Sequence, residues 1–89
     1  MIERELLIAN RLGLHARATA KLVHVLSGFE SNATLSTKGR EVNAKSIMGV
    51  MLLAAGKGTP VMLKVEGADE AEAADAVAAL FERLFDEGD

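Results

Sequence analysis

Residues 10–17 read NRLGLHAR and place a histidine between a glycine-containing turn and the start of an amphipathic helix. The free backbone N–H groups of a helix's first turn and the positive end of its dipole favour an anion there. Arg17 adds a planar forked cation that matches phosphate oxygens. Imidazole is a suitable nucleophile for a phosphoryl group that must be passed on, because it is largely neutral near pH 7. The stretch therefore predicts a phosphate carrier, although a histidine in this position is often a polar cap or a surface residue.

Outward from this stretch, apolar periodicity and turn residues predict the element order β-α-β-β-α-β-α. The predicted elements are a strand at 2–9, a helix at 16–27 closed by Gly28, strands at 33–37 and 40–43 joined by Lys38 and Gly39, a helix at 46–54, a strand at 60–66, and a final helix that opens with Asp69 as its cap and carries Ala74, Val77, Ala78, Phe81 and Leu84 on one face. Such a sheet and helices pack as two layers of an α+β fold. Periodicity alone does not separate this fold from a ferredoxin-like arrangement. The polar end, residues 86–89, is expected to fray.

The 89 residues fit a single domain spanning 1–89, and their composition excludes several classes of protein. No cysteine is present, which excludes disulfides and thiolate metal sites and fits a reducing cytoplasm. A net charge of −3 without a basic stripe argues against nucleic acid. Residues 1–11 lack the basic start and long apolar run typical of a signal peptide, and no apolar run approaches ~18 residues, so neither secretion nor membrane insertion is expected. The basic residues that could share one face with His15 and attract acidic partners are Arg11, Arg17, Lys21 and Lys45.

The run NRLGLHARATAKLVH, residues 10–24, resembles the active-site segment of the histidine-containing phosphocarrier HPr family of the bacterial phosphoenolpyruvate-dependent phosphotransferase system. GLHAR is the most specific part of this likeness. The resemblance continues through KSIMGVMLLAAGKGTPVMLKVEG, residues 45–67, and an acidic, alanine-rich final helix, so it covers essentially the whole chain. It implies an open-faced β-sandwich, in which a four-stranded antiparallel sheet is covered on one face by three helices.

The resemblance also implies roles for individual residues. His15 would take a phosphoryl group on Nδ1 from phosphorylated enzyme I and pass it to a histidine of a IIA component, while Arg17 would neutralise the phosphate. Such a carrier is not itself an enzyme, needs no cofactor or metal, and is expected to act as a cytoplasmic monomer. The wording NRLGLHAR resembles the nitrogen-related branch of the system as much as the sugar-transporting branch.

Two positions depart from the family pattern. Ala18 stands where the family usually has proline, and the loss of that stiffening is worth about 0.4–1 kcal/mol. Leu12 stands where many members have Ser or Asn. Capping of the helix is then expected to fall to His15 itself or to the backbone.

The segment that begins at Ser46 is the second candidate site. Serine is a preferred N-cap, although Gly49 occupies the capping-box position where Glu or Gln would be favourable. The resemblance adds a regulatory role, in which an ATP-dependent HPr kinase phosphorylates Ser46 and weakens the interaction with enzyme I. The next apolar residues, Ile47, Met48 and Met51, are either core or, as the resemblance implies, an exposed patch that docks on enzyme I and IIA domains.

Other functions are less well supported by the residues. The main alternative is a noncatalytic regulatory or docking domain that uses the patch of Ile47, Met48 and Met51 and never transfers phosphate. A stand-alone enzyme would need a second acid or base. His24 is expected to be a solvated residue, because a metal site that pairs it with His15 lacks a third ligand at suitable spacing. AGKGT, residues 55–59, does not complete a nucleotide-binding P-loop.

Overall fold

The computed structural model describes residues 1–87. Four strands and three helices follow one another in the predicted order β-α-β-β-α-β-α, and a short 3₁₀ turn comes after the last helix. The elements are β1 (Ile2–Leu7), α1 (Ala16–Ser27), β2 (Asn32–Thr37), β3 (Arg40–Asn43), α2 (Ile47–Leu52), β4 (Pro60–Glu66), α3 (Glu70–Glu82) and the 3₁₀ turn (Leu84–Asp86).

The strands form one antiparallel sheet in the order β1-β4-β2-β3. Along the central strand β4, Val61, Leu63 and Val65 are buried while the residues between them are half-buried, as expected when one face of a sheet packs on a core. Leu63 lies opposite Leu35 of β2, which joins the two inner strands on the covered face. The predicted α+β open-faced sandwich is therefore confirmed.

The helices α1 and α3 supply most of the core opposite the sheet. Leu22 and Leu26 of α1 are fully buried, as are Val77 and Leu80 of α3 to within 1 %. Side chains three or four residues apart lie on one face of a helix, so each helix presents a continuous apolar stripe to the sheet. This packing holds α1 against the sheet and thereby fixes the position of its start, into which residues 10–17 lead.

The end of the chain differs from the sequence prediction. Leu84 was expected on the apolar face of the last helix, but α3 ends at Glu82, and Leu84, Phe85 and Asp86 have positive φ angles of 56°, 55° and 61°. This left-handed run turns the chain so that Phe85 is fully buried against Phe81, with ring centroids 4.8 Å apart. The prediction that the polar end frays is wrong for Asp86 and Glu87, which both accept hydrogen bonds. Residues 88–89 lie outside the described part of the chain.

Asp69 lies at the N-cap position of α3 as predicted, but its side chain does not cap that helix. Its carboxylate instead accepts hydrogen bonds from the N–H of Glu30 at 2.9 Å and from the N–H of Ser31 at 3.0 Å, and also from the Ser31 hydroxyl. The hydroxyl bond from Ser31, followed by the Glu30 N–H bond, lowers the pKa of Asp69 below its ordinary value. Asp69 therefore joins the loop after α1 to the start of α3.

We expect Asp69→Asn to change how the free energy of unfolding depends on pH. A carboxylate whose pKa is lowered by folding contributes stability that is fully present above its ordinary pKa of 3.8 and is lost as pH falls through the lower folded value. The variant should therefore be less stable than the parent near neutral pH, and the gap should shrink below 3.8. Urea unfolding at neutral and strongly acidic pH measures the gap, with the exposed Glu72→Gln as the control. An equal gap at both pH values would contradict this account of Asp69.

Candidate functional site

His15 occupies the N-cap of α1, with an extended backbone at φ −76° and ψ 179°. Its Nδ1 accepts a hydrogen bond from the backbone N–H of Arg17 at 3.3 Å. The sequence left the capping of α1 to His15 itself or to the backbone, and the structure shows the His15 side chain in that role. The His15 side chain is 27 % exposed, so solvent and a partner can reach the ring. Nδ1 therefore lies at the positive end of the helix dipole, where an anion is favoured.

The loop before His15 is held by backbone and side-chain bonds. Gly13 has a φ of +66°, and the N–H of Leu14 donates to the carbonyl of Ala55 at 2.9 Å. The fully buried Asn10 donates from Nδ2 to the carbonyl of Gly13 at 2.8 Å. A Cβ at Gly13 would lie 2.6 Å from the Ala55 carbonyl oxygen, so the turn approaches the neighbouring loop too closely for any other residue. The interpretation of Gly13 as a turn residue is confirmed.

Glu87 contacts the other nitrogen of the His15 ring. Its Oε2 lies 2.6 Å from Nε2, and its Oε1 accepts a hydrogen bond from Asn10 Nδ2 at 3.0 Å. Burial alone would raise the pKa of the Glu87 carboxyl, but the hydrogen bonds from Asn10 and His15, together with the positive charges of Lys21 and of the doubly protonated form of His15, outweigh it, so the pKa is lowered. Glu87 is therefore an ionised partner of His15 near neutral pH. The sequence analysis missed it, because residues 86–89 were expected to fray.

Three of the four basic residues expected near His15 come together. One surface pocket is lined by Arg11, Arg17, Lys21, Leu12, Asp86 and Glu87. The basic side chains in this lining outnumber the acidic ones. Lys21 also donates from Nζ to the carbonyl of Phe85 at 2.7 Å and so holds the 3₁₀ turn beside α1.

Lys45 does not join this group, which corrects the sequence analysis. Its Nζ donates to the carbonyl of Phe29 at 2.8 Å, beyond the far end of α1. A helix of 12 residues rises about 18 Å, so Lys45 and His15 lie near opposite ends of α1. The periodicity of the sequence could not show this, because Lys45 follows the β2–β3 hairpin and its position depends on the tertiary packing.

His24 is exposed in the last turn of α1, nine residues from His15. At 1.5 Å per residue this separates the two histidines by about 13 Å along the helix axis, too far to share a metal ion. Among residues 1–87, no group of three or more His, Cys, Asp or Glu side chains is arranged to hold a metal. None of the described helices is both long and apolar enough to cross a membrane.

Ser46 is the N-cap of α2, as predicted, and its Oγ accepts a hydrogen bond from the N–H of Gly49 at 3.0 Å. The apolar residues that follow are exposed rather than core. The exposed fractions are 45 % for Ile47, 79 % for Met48, 43 % for Met51 and 63 % for Leu52. We call these four residues the α2 patch. Leu52 is the one member of the patch that the sequence pattern did not single out. Contiguous exposed apolar side chains are typical of interaction surfaces.

Comparisons with known proteins agree with this geometry. The family model for the PTS HPr component phosphorylation site matches residues 2–83. Phosphocarrier protein HPr of Xylella fastidiosa is 63 % identical over 87 residues, which cover 98 % of each chain. The crystal structure of HPr-C-His from Thermoanaerobacter tengcongensis superimposes with a TM-score of 0.95 at 44 % identity, over 98 % of each chain. A structure of the HPr dimer from the same organism gives a TM-score of 0.77 at 44 % identity, over 96 % of this chain and 98 % of that one. The chain therefore belongs to the HPr family of phosphocarrier proteins of the phosphotransferase system.

Proposed function

We propose that His15 is the residue that carries the phosphoryl group, accepting it on Nδ1 from phosphorylated enzyme I and passing it to a histidine of a IIA component. The observation that carries this proposal is the position of Nδ1 at the N-terminus of α1, on a ring that is partly exposed. Nδ1 accepts a hydrogen bond from the Arg17 N–H at 3.3 Å, which is longer than a typical N–H bond to an acceptor. Little free energy is therefore needed to break this hydrogen bond and free the Nδ1 lone pair.

The chemistry needs positioning and charge compensation more than acid–base help. The lone pair of Nδ1 attacks phosphorus while the bond from phosphorus to the donor nitrogen breaks, and the donor ring keeps that electron pair. The Arg17 N–H can then donate to a phosphate oxygen instead of Nδ1, as the first-turn N–H groups of a helix do for bound anions. The side chains of Arg11, Arg17 and Lys21 line the adjoining pocket together with Asp86 and Glu87, and the excess of cations offsets part of the added negative charge. The reverse sequence delivers the group to the next protein, so the chain acts as a carrier and not as an enzyme.

Incubation with enzyme I, Mg²⁺ and phosphoenolpyruvate tests this proposal. Intact mass should show the gain of one phosphoryl group, and the group should be lost in acid, as expected for a phosphorus–nitrogen bond. An enzyme I preparation that phosphorylates another HPr serves as the positive control. No gain of mass under those conditions would favour the alternative, a docking domain that uses the α2 patch without phosphate transfer.

The α2 patch is proposed to dock on enzyme I and IIA domains, because its methionines can adapt to more than one partner surface. We expect Met48→Asp to raise the KM of enzyme I for this protein by about 10-fold or more, since a charge would be buried in the interface. Met48 is 79 % exposed, so stability and kcat should change little. Leu7→Asp, on the uncovered face of the sheet, is the matched control because Leu7 is also exposed. Equal KM values for the two variants would contradict docking through α2.

Ser46 is proposed as a regulatory site for an ATP-dependent HPr kinase. Phosphorylation would add about −1.5 to −2 charges beside the α2 patch and would replace the hydroxyl that caps the helix. Treatment with ATP and such a kinase should modify the parent but not Ser46→Ala, and the modified protein should react more slowly with enzyme I. A kinase that modifies another HPr but leaves Ser46 unmodified would contradict this role.

The chain is further proposed to act as a single-domain monomer in the cytoplasm. Successive partners need the same face around His15 and the α2 patch, so a free monomer presents it most simply. The absence of cysteine suits a reducing compartment. Sedimentation at working concentration tests the oligomeric state, and a stable dimer like the related Thermoanaerobacter structure would contradict it.

A further inference from the structure

The two ring nitrogens of His15 face different chemical groups. Nε2 lies 2.6 Å from a carboxylate oxygen of Glu87, and an ionised carboxylate can only accept a hydrogen bond. Nε2 must therefore carry a proton. Nδ1 faces the backbone N–H of Arg17, which can only donate, so Nδ1 must offer its lone pair. Both contacts select the same neutral tautomer, with the proton on Nε2 and the lone pair on Nδ1.

The carboxylate of Glu87 is fixed in place by the residues around it. Asn10 is fully buried, and its Nδ2 donates both to Glu87 Oε1 at 3.0 Å and to the carbonyl of Gly13 at 2.8 Å. The opposite amide orientation would turn an oxygen toward two acceptors. The Oδ1 of Asn10 is buried without a hydrogen-bond partner in residues 1–87. The amide is therefore oriented so that its Nδ2 donates to Glu87 and Gly13, although its oxygen is left unpaired among these residues. One side chain thus ties Glu87 to the loop that leads into His15.

The turn that delivers Glu87 is also anchored. Phe85 is fully buried, and its carbonyl accepts a hydrogen bond from Lys21 Nζ at 2.7 Å. The Glu87 side chain itself is only 14 % exposed, although it lies near the end of the chain. A carboxylate held in this way resembles the aspartate that orients the histidine of a hydrolase triad, in that it sets the tautomer without taking the proton.

From this geometry we propose that Glu87 is a positioning residue for phosphoryl transfer, which holds the proton of His15 on Nε2 so that the Nδ1 lone pair is always the one presented to phosphorus. This inference rests on the proposed function of His15 and deepens it. During transfer the bond from Nδ1 to phosphorus forms as the donor's nitrogen–phosphorus bond breaks, and the Nε2 proton stays on the ring. The ring becomes cationic in that step, and the adjacent carboxylate of Glu87 offsets the new charge.

Glu87→Gln tests the proposal, because it keeps the size of the side chain but removes the charge and the obligatory acceptor. In the parent, ¹⁵N NMR of neutral His15 should show the proton on Nε2, whereas in the variant the tautomer with the proton on Nδ1 should gain population. The initial rate of phosphorylation by enzyme I should fall by at least the fraction of neutral His15 that the spectra show with its proton on Nδ1, because that fraction presents the wrong nitrogen. Glu82→Gln, an exposed carboxylate at the end of α3, makes the same change of charge and should leave both the tautomer and the rate unaltered.

The outcomes separate this inference from the proposed function. A parent that is phosphorylated on His15, together with a Glu87→Gln variant of unchanged tautomer and unchanged rate, overturns the role of Glu87 alone. A slower variant whose tautomer is unchanged leaves Glu87 a role in charge compensation, packing or docking and overturns its role in holding the proton on Nε2. A parent that takes no phosphate from a competent enzyme I overturns the proposed function of His15 and this inference together. Unfolding in urea checks that the variant is folded under the assay conditions.

Discussion

Replacement of His15 by alanine is expected to reduce phosphoryl acceptance from enzyme I by at least about 10³-fold, because the variant has no nucleophile at the start of α1. The same change removes the side chain that caps the helix, and because its hydrogen bond to the Arg17 N–H is long, at 3.3 Å, the loss of stability should be near the lower limit for an N-cap, about 0.5 kcal/mol. The fold should survive this loss, since Ala18, Leu22 and Leu26 still anchor α1 in the core. Intact mass after incubation with enzyme I and phosphoenolpyruvate measures the acceptance.

Two further variants separate the nucleophile from the cap. His15→Asn retains a side chain that is among the best N-caps but removes the imidazole, so it should be as inactive as His15→Ala while being more stable. His24→Ala removes the other histidine, which is exposed in the last turn of α1, and should be phosphorylated at the parent rate. Acid-labile phosphate on either His15 variant at the parent level would show that the phosphoryl group is carried elsewhere.

The local elements of the fold could be predicted from the sequence because apolar spacing is a local property. The bounds of α1 and β4 agree with the prediction. The first strand was expected to reach residue 9 but ends at Leu7, because the carbonyl of Ile8 accepts the N–H of Gly58, while the N–H of Thr59 donates to Gly56 and so does not complete the next pair of the ladder. The sheet order β1-β4-β2-β3 pairs strands far apart in sequence, so periodicity could not predict it, and only the antiparallel four-stranded sheet itself was expected.

The site was predictable only where its residues are neighbours in the sequence. His15 and Arg17 lie within one helical turn, and a glycine before them and an apolar repeat after them indicate their setting. Glu87 reaches His15 only because Leu84, Phe85 and Asp86 all adopt left-handed backbone angles, which bulky residues rarely do. That conformation is stabilised by the burial of Phe85 and by the hydrogen bond from Lys21, which are tertiary contacts. No local pattern in residues 84–89 signals them.

The second large effect is expected at Gly13. Gly13→Ala should lower the free energy of unfolding by about 2–4 kcal/mol, the sum of backbone strain and steric overlap. The residue has a φ of +66°, and a Cβ would lie 2.6 Å from the Ala55 carbonyl oxygen and 2.7 Å from the Gly56 Cα. Both neighbours are backbone atoms, so no side-chain rotation can relieve the overlap. Urea unfolding of parent and variant measures the loss.

Gly39→Ala is the matched control, because Gly39 has a similar φ of +79° but nothing within 4 Å of the added Cβ. Strain alone should cost about 1–2 kcal/mol there, and the remainder at Gly13 is the cost of overlap. Overlap at Gly13 must displace Ala55, whose carbonyl accepts the N–H of Leu14 at 2.9 Å next to His15. Gly13→Ala should therefore also slow phosphoryl acceptance under conditions where it is folded, whereas Gly39→Ala should not. Equal losses of stability in the two variants would mean that the loop around Ala55 moves with little loss of free energy. The close approach of Gly13 to Ala55 would then not be what holds His15 at the start of α1.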